Sequence, residues 1–557
     1  MVRGTIWAGL GRFVVTEIVF VLAMIVVVLV VRRASDKAGL PDAVLLTLAG
    51  LVYAVLPGPN LRLDPDIVLN IVLPPLLYHA ALSSSLQAIR GRMRSVMSLS
   101  VLLVLVTAFT VGGLLAWLVP VIPFAAAVAL GAAIAPPDPV AALAVGRRAG
   151  LPANLSTLIE GEGLLNDATA LTTYKVAIVA AVGGGFSFGL AIGEFALAAV
   201  GGLLVGAVIA GLVHLARRFL PDALSVNAVS LVTPFAAYTL GEELHVSGVL
   251  AVVIAGLIVG HQNPRLQSGA SRLQVGAVWQ LVNMLLEGFV FLLIGQQLPT
   301  VLRGLGDYSI RTVLTSAAIT LAAALLVRPL WLLATQHVPR QLHARLGGMR
   351  ANGAEPTDRA LSGREITAMT WAGTRGVITL AAAFAIPLTT GSGEAFPARS
   401  LLLFNAYLLV LVTLVGHGLT FGPLLRRLGL RADVHDEAKL RNEARDAAVT
   451  AALTRLDQLV TSDELTEEVA ADIRRSLQSR QRRYRDRLAY LEDNPGTLRS
   501  AEYQAAAAAR RAVINAQHDE YLRWRHSGRL PDTSLRILQN ELDHEERTLP
   551  LTEPTSN

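Results

Sequence analysis

GAAIAPPDPVAALAVGRRAGLPANLSTLIEGEGLLNDATALTTYK, residues 131–175, decides how the rest of the chain is read. Two apolar runs here carry charges that a lipid-facing helix should not carry. In the first, Pro136, Pro137, Asp138 and Pro139 interrupt alanine, valine and leucine. In the second, Glu162, Asn166 and Asp167 open an apolar helix that continues to about Val182. A carboxylate at a bilayer centre costs roughly 2.5–3.5 kcal/mol even on a mild scale. The prolines remove backbone donors and forbid regular helix. Carbonyls freed in the hydrocarbon region are tolerated only around a cavity or an ion. The reading that accounts for both runs is that Asp138 and Asp167 face each other and hold a small cation or a proton in turn. Asn166 adds a neutral oxygen without a second charge. The plainer alternatives are a kinked helix with a hydrogen-bonded carboxyl at Asp138 and an N-capped helix start at Asn166–Asp167.

The composition sets this in a membrane. Of 557 residues, 53% are hydrophobic and 16% charged, against about 25% charged in soluble domains. Mean hydropathy is +0.51. The absence of cysteine excludes disulfides and thiolate metal sites. A net charge of +6 fits cytoplasmic loops of a membrane protein rather than nucleic-acid binding. The run Val14 to Val31 is too long for a signal peptide and is read as a retained helix.

About thirteen apolar segments follow one another, near 14–31, 42–57, 65–82, 95–119, 122–146, 155–182, 187–214, 223–241, 246–261, 276–299, 310–337, 365–388 and 400–424. Pro74 and Pro75 are expected to kink the third. Basic links alternate with neutral or acidic ones. Arg32–Arg33, Arg90–Arg94, Arg147–Arg148, Arg217–Arg218, Arg265 and Arg272, and Arg340–Arg350 follow odd-numbered segments. This alternation puts the N-terminus outside and the tail in the cytoplasm; Arg3 and Arg12 run against it. Segments one to six and eight to thirteen can then be inverted repeats, with segment five matching segment twelve. Segment twelve carries its own break, Gly373-Thr374-Arg375-Gly376. Paired interrupted helices in two halves point to a transporter site. The chain is thus expected to divide into a membrane domain, 1–430, and a helical cytoplasmic tail, 431–557, with helical runs at 436–460, 464–492, 498–526 and 532–547.

The remaining intramembrane charges need partners. Arg328 is the best counter-charge for Glu162, because an arginine left alone at that depth is costly. Arg375 sits where half-helix ends leave partial charges. His79 and Glu287 are each either structural or modulators of a cavity, and Lys175 snorkels or pairs near the end of segment six. No HExxH, nucleotide loop or serine–base pair suggests an enzyme, and no TVGYG filter suggests a channel.

PPDPVAA, EGEGLLNDATAL and WAGTRGVITLAAAFAIP, with LPPLLYHAAL and FVFLLIGQQL, resemble the signature stretches of the cation:proton antiporter family 1, the sodium/proton exchanger type. VINAQHDEYLRWRHSGRLP and LQNELDHEER are similar to tails of bacterial members. The resemblance implies a thirteen-helix fold with inverted repeats and crossed, unwound helices five and twelve. It also implies a homodimer in the bacterial plasma membrane and electroneutral exchange of Na+, Li+ or K+ for H+ in pH and cation homeostasis. No cofactor is implied; the partners are monovalent cations, protons and membrane lipid. It assigns ion binding to Asp167, support to Asp138, a structural pair to Glu162 and Arg328, and stabilisation of the crossing to Arg375. The chain departs from the family pattern at Pro137, Gly163 and His79, where many members carry Thr, Ser and, in archaea, Glu. Two hydroxyls and a carboxylate are lost, which makes K+ a rival to Na+.

Overall fold

The computed structural model describes residues 22–56, 64–183, 188–220, 222–266, 269–337, 361–431, 434–494 and 501–547. Arg3, Arg12, Glu17, Arg62 and the basic stretch with Arg340, Arg345 and Arg350 lie outside them. Regular structure among the described residues is helical apart from one isolated bridge, Thr389 to Ala395. Apart from two short helices, Leu86–Gly91 and Leu298–Arg303, the helices in chain order are α1 (22–38), α2 (Asp42–Val55), α3 (Pro65–Ser83), α4 (Met93–Leu118), α5 (Phe124–Ile134), α6 (Pro139–Ala149) and α7 (Ala153–Val182). Then come α8 (Phe188–Phe219), α9 (Ala223–Glu243), α10 (Gly248–Leu266), α11 (Gly269–Gln296), α12 (Ile310–His337), α13 (Gly363–Trp371), α14 (Val377–Phe384) and α15 (Arg399–Leu428). Eight of the described stretches are long and apolar enough to cross a membrane. The chain is an all-α polytopic membrane protein.

Local chemistry explains where the helices bend and stop. Pro74 and Pro75 do not break α3. They follow a π-helical stretch, Val68–Val72, where Leu73 N–H reaches back five residues to Val68 O. The wider turn takes up the clash and the missing donors that proline brings. Asp138 caps α6 by accepting from Val140 N–H at 2.9 Å, with Pro139 at the first helical position. Gly150, at φ 73°, ends α6 in the left-handed region, which spares a Cβ the strain of that conformation. α7 then starts directly after Pro152. This corrects the expectation that Glu162, Asn166 and Asp167 open a helix. They lie in the middle of a 30-residue one, so their polar atoms answer to neighbouring elements, not to a free helix end. A capping box of Ser362 and Glu365 opens α13, and Asn154 donates to Glu365 at 3.0 Å, tying α13 to the start of α7.

The chain divides into two compact units, Met1–Ala432 and Asp433–Asn557. The second is built from α16 (Val434–Thr461), α17 (Glu467–Asp493), α18 (Ala501–His526) and α19 (Asp532–Arg547). Cross-helix pairs such as Arg485–Asp446 at 2.9 Å and Lys439–Glu492 at 3.0 Å join α16 to α17. Glu492 holds the Lys439 ammonium above its ordinary range. Ile514 and Leu542 pack between α18 and α19.

Candidate functional site

Two helices are interrupted, and the interruptions bond to each other. Between α5 and α6 the chain unwinds over Ala135–Asp138; between α13 and α14 it unwinds over Ala372–Gly376. Asp138 N–H donates to Thr374 O at 2.7 Å, and Thr374 Oγ1 donates back to Asp138 O at 2.8 Å. Arg375 Nε donates to Ile134 O, the carbonyl end of α5, at 2.9 Å, and its Nη1 to Gly373 O. Thr413 Oγ1 accepts from Arg375 N–H at 3.0 Å. One arginine therefore satisfies carbonyls from both breaks. These are the negative ends of half-helices, where a cation is favoured.

α7 passes beside this crossing. Asn166 donates through Nδ2 to Pro137 O at 3.0 Å, while its buried Oδ1 has no hydrogen-bond partner. Asp167 is 4% exposed. Asp138 and Asp167 line the same cavity, of about 120 Å³. Among the described residues neither carboxylate has an ion-pair partner. Close approach depends on two residues without side chains. A Cβ on Gly163 would overlap the Pro139 ring, and one on Gly376 would overlap the Asp138 carboxylate.

One helical turn before Asp167 the chemistry is different. Glu162 and Arg328 are 1% and 3% exposed and form a two-pronged pair: Nη1 to Oε1, and Nη2 to Oε2 at 2.9 Å. Arg328 Nε also donates to Met369 O near the end of α13, at 2.9 Å. This pair neutralises itself and does not line the cavity. The cavity runs outward to Arg147 and Glu160, which pair at 3.3 Å; the Arg147 side chain is 69% exposed and marks the mouth.

The three other candidate modulators separate. Glu287, on α11, lines the cavity. His79 does not; its ring stacks on Trp279 at 6.0 Å. Lys175 lies away from the cavity and pairs with Glu242 at 2.7 Å on an exposed surface. Sequence reasoning missed Thr413 and the carbonyls of Ile134 and Met369. A threonine in an apolar helix usually bonds its own backbone, as Thr413 also does to Leu409 O, and gives no signal of a second role.

The transmembrane sodium/hydrogen exchanger family matches residues 20–427. A Mycobacterium tuberculosis protein named as an uncharacterised Na+/H+ exchanger is 31% identical over 95% of both chains. The sodium, potassium, lithium and rubidium/H+ antiporter of Bacillus subtilis is 31% identical over 68% of this chain and 56% of its own. Among solved structures, the sodium proton antiporter MjNhaP1 of Methanocaldococcus jannaschii at pH 8 superposes with a TM-score of 0.55 and 20% identity. The match covers 74% of this chain and 98% of that one.

Proposed function

The chain belongs to the sodium/hydrogen exchanger family, and we propose that it exchanges Na+, Li+ or K+ for H+ at one shared acid, Asp167. Transport is by alternating access and is electroneutral. The observation that carries this reading is that Asp138 and Asp167 line one cavity at the helix crossing and, among the described residues, pair with no base. An acid kept from water without a counter-charge is costly to leave bare, so a proton or a metal ion completes it. The two cannot occupy Asp167 together, and that exclusion couples their movements. The cargo's ligands are Asp167, Asp138, the free Oδ1 of Asn166, backbone carbonyls of the break and water. Glu162–Arg328 fixes α7 against α12 and α13, and Arg375 fixes the crossing.

The exchanger works as a homodimer in a bacterial plasma membrane, serving pH and cation homeostasis. Its inverted repeats bring segments five and twelve to the crossing, its N-terminus is outside, and residues 431–557 are cytoplasmic. With the basic links taken as cytoplasmic, the mouth at Arg147 opens inward. The test is Asp167→Asn in everted vesicles, which abolishes cation-driven proton movement; retained antiport refutes the assignment. In the wild type, the KM for cation rises as pH falls.

K+ as the main cargo is the second reading. Pro137 and Gly163 leave no side-chain hydroxyl at two positions beside the acids, and the Bacillus subtilis relative is named for four alkali cations. Vesicle antiport with Na+, Li+ and K+ separates the two readings.

A further inference from the structure

The cavity holds a third acid that the exchange chemistry above does not use. Glu287 reaches it from α11, whereas Asp138 and Asp167 come from α6 and α7. Among the described residues its hydrogen-bond partner is Asn283, one turn earlier on the same helix, which donates to Oε1 at 2.6 Å. Glu162 shows how this fold treats a structural buried carboxylate: both oxygens meet one guanidinium. Among the described residues Glu287 has no such base. The charged groups acting on it are Asp138 across the cavity and Arg32 and Asp42 from α1 and α2. Asp167 lines the same cavity, and His79 stacks on Trp279, two turns back along α11. Among the described residues no three acids or histidines come together as one metal-holding group. Glu287 is thus not clustered with the two aspartates, and on the exchange reading it acts on a cation at Asp167 through space.

We propose that Glu287 is the cavity's recruiting acid: ionised, it draws the alkali cation toward the aspartate pair, and protonated, it releases that pull. This rests on the exchange reading above and adds a second titrating group to it. A buried charge interacts across an apolar cavity with little screening, so one carboxylate on the facing wall changes the local cation concentration. The attraction is present when the solution at the cavity mouth is alkaline and fades as it becomes acidic. The exchanger would thus lose affinity for cation in acid by two routes, competition at Asp167 and neutralisation of Glu287.

The test is the KM for Na+ in everted vesicles from mildly acidic to alkaline pH, for wild type, Glu287→Gln and Glu287→Asp. The ratio of the Glu287→Gln value to wild type is expected near one at the acid end and about tenfold at the alkaline end. Glu287→Asp keeps the charge and returns the wild-type trend. A ratio that stays constant with pH overturns the proposal. A wild-type KM that does not rise with acidity sinks the shared-site reading instead, so the two failures are distinguishable. A measurement on the wild-type protein covers the case in which the variants misfold. A hydrophobic carbodiimide, which reacts with protonated carboxyls, is expected to label Glu287 in acid, with Na+ slowing the reaction. Absence of labelling there, or indifference to Na+, also overturns it.

Discussion

Replacing Gly376 by alanine moves a carboxylate without removing one. The backbone at Gly376 is extended, at φ −132° and ψ −151°, so alanine fits the conformation and the effect is steric. The new Cβ would lie 2.6 Å from Asp138 Cγ and 2.8 Å from its Cβ, and would overlap Oδ2. Asp138 cannot retreat with its backbone, which is pinned to Thr374 on both sides. Its side chain must turn and give up the cap on Val140, worth about 1 kcal/mol. Crowding of this kind adds about 1–3 kcal/mol. The total, about 2–4 kcal/mol, corresponds to a rise in KM for cation of roughly 30-fold to several hundredfold if it falls wholly on the site. Antiport in everted vesicles, normalised to folded protein by detergent chromatography, reads this directly. Gly416→Ala is the control, because a Cβ there meets no atom within 4 Å. A Gly376→Ala protein whose KM stays within about twofold of wild type would refute the placement of Asp138 in cation binding.

Two further substitutions test the supports. Removing either partner of the Glu162–Arg328 pair should cost about 3–5 kcal/mol, since it strands a buried charge, while an apolar double replacement recovers most of that; strictly additive losses in mixed-micelle unfolding would contradict a direct pair. Thr374→Val leaves the Asp138 carbonyl without its hydroxyl donor and should cost about 1–3 kcal/mol, with Thr374→Ser restoring it; equal thermal stability of the Val and Ser proteins would count against the bond between the breaks.

The sequence was most readable where burial is costly. Asp138, Glu162, Asp167, Arg328 and Arg375 stand out because each is a charge inside an apolar run, and the prolines and glycines around them announce interrupted helix. Arg328 is a matching charge for Glu162 on the same ground. What the residues could not announce was their partners in the backbone. Met369 O, Ile134 O and Gly373 O accept from arginines 2 to 241 positions away in sequence, and a carbonyl carries no residue-specific mark. The segment 155–182 matches α7 to within two residues, but the place of Glu162, Asn166 and Asp167 within it is not legible from spacing, because the group that Asn166 satisfies is the carbonyl of Pro137 on another element. Glu287, His79 and Lys175 looked alike as isolated charges near apolar helices. Only packing separates a cavity wall, a stacked ring and a surface ion pair.

The bonds between the two breaks also constrain how the molecule can move. Sliding one interrupted helix past the other would rupture the Asp138–Thr374 exchange and the Arg375–Ile134 link at once, in a place where water is not at hand to replace them. On the exchange reading proposed above, the four half-helices would travel as a single body, fastened at their middle. If the acids open to one face of the membrane and then the other, as proposed, that opening falls at the outer surfaces of the body and leaves the junction intact.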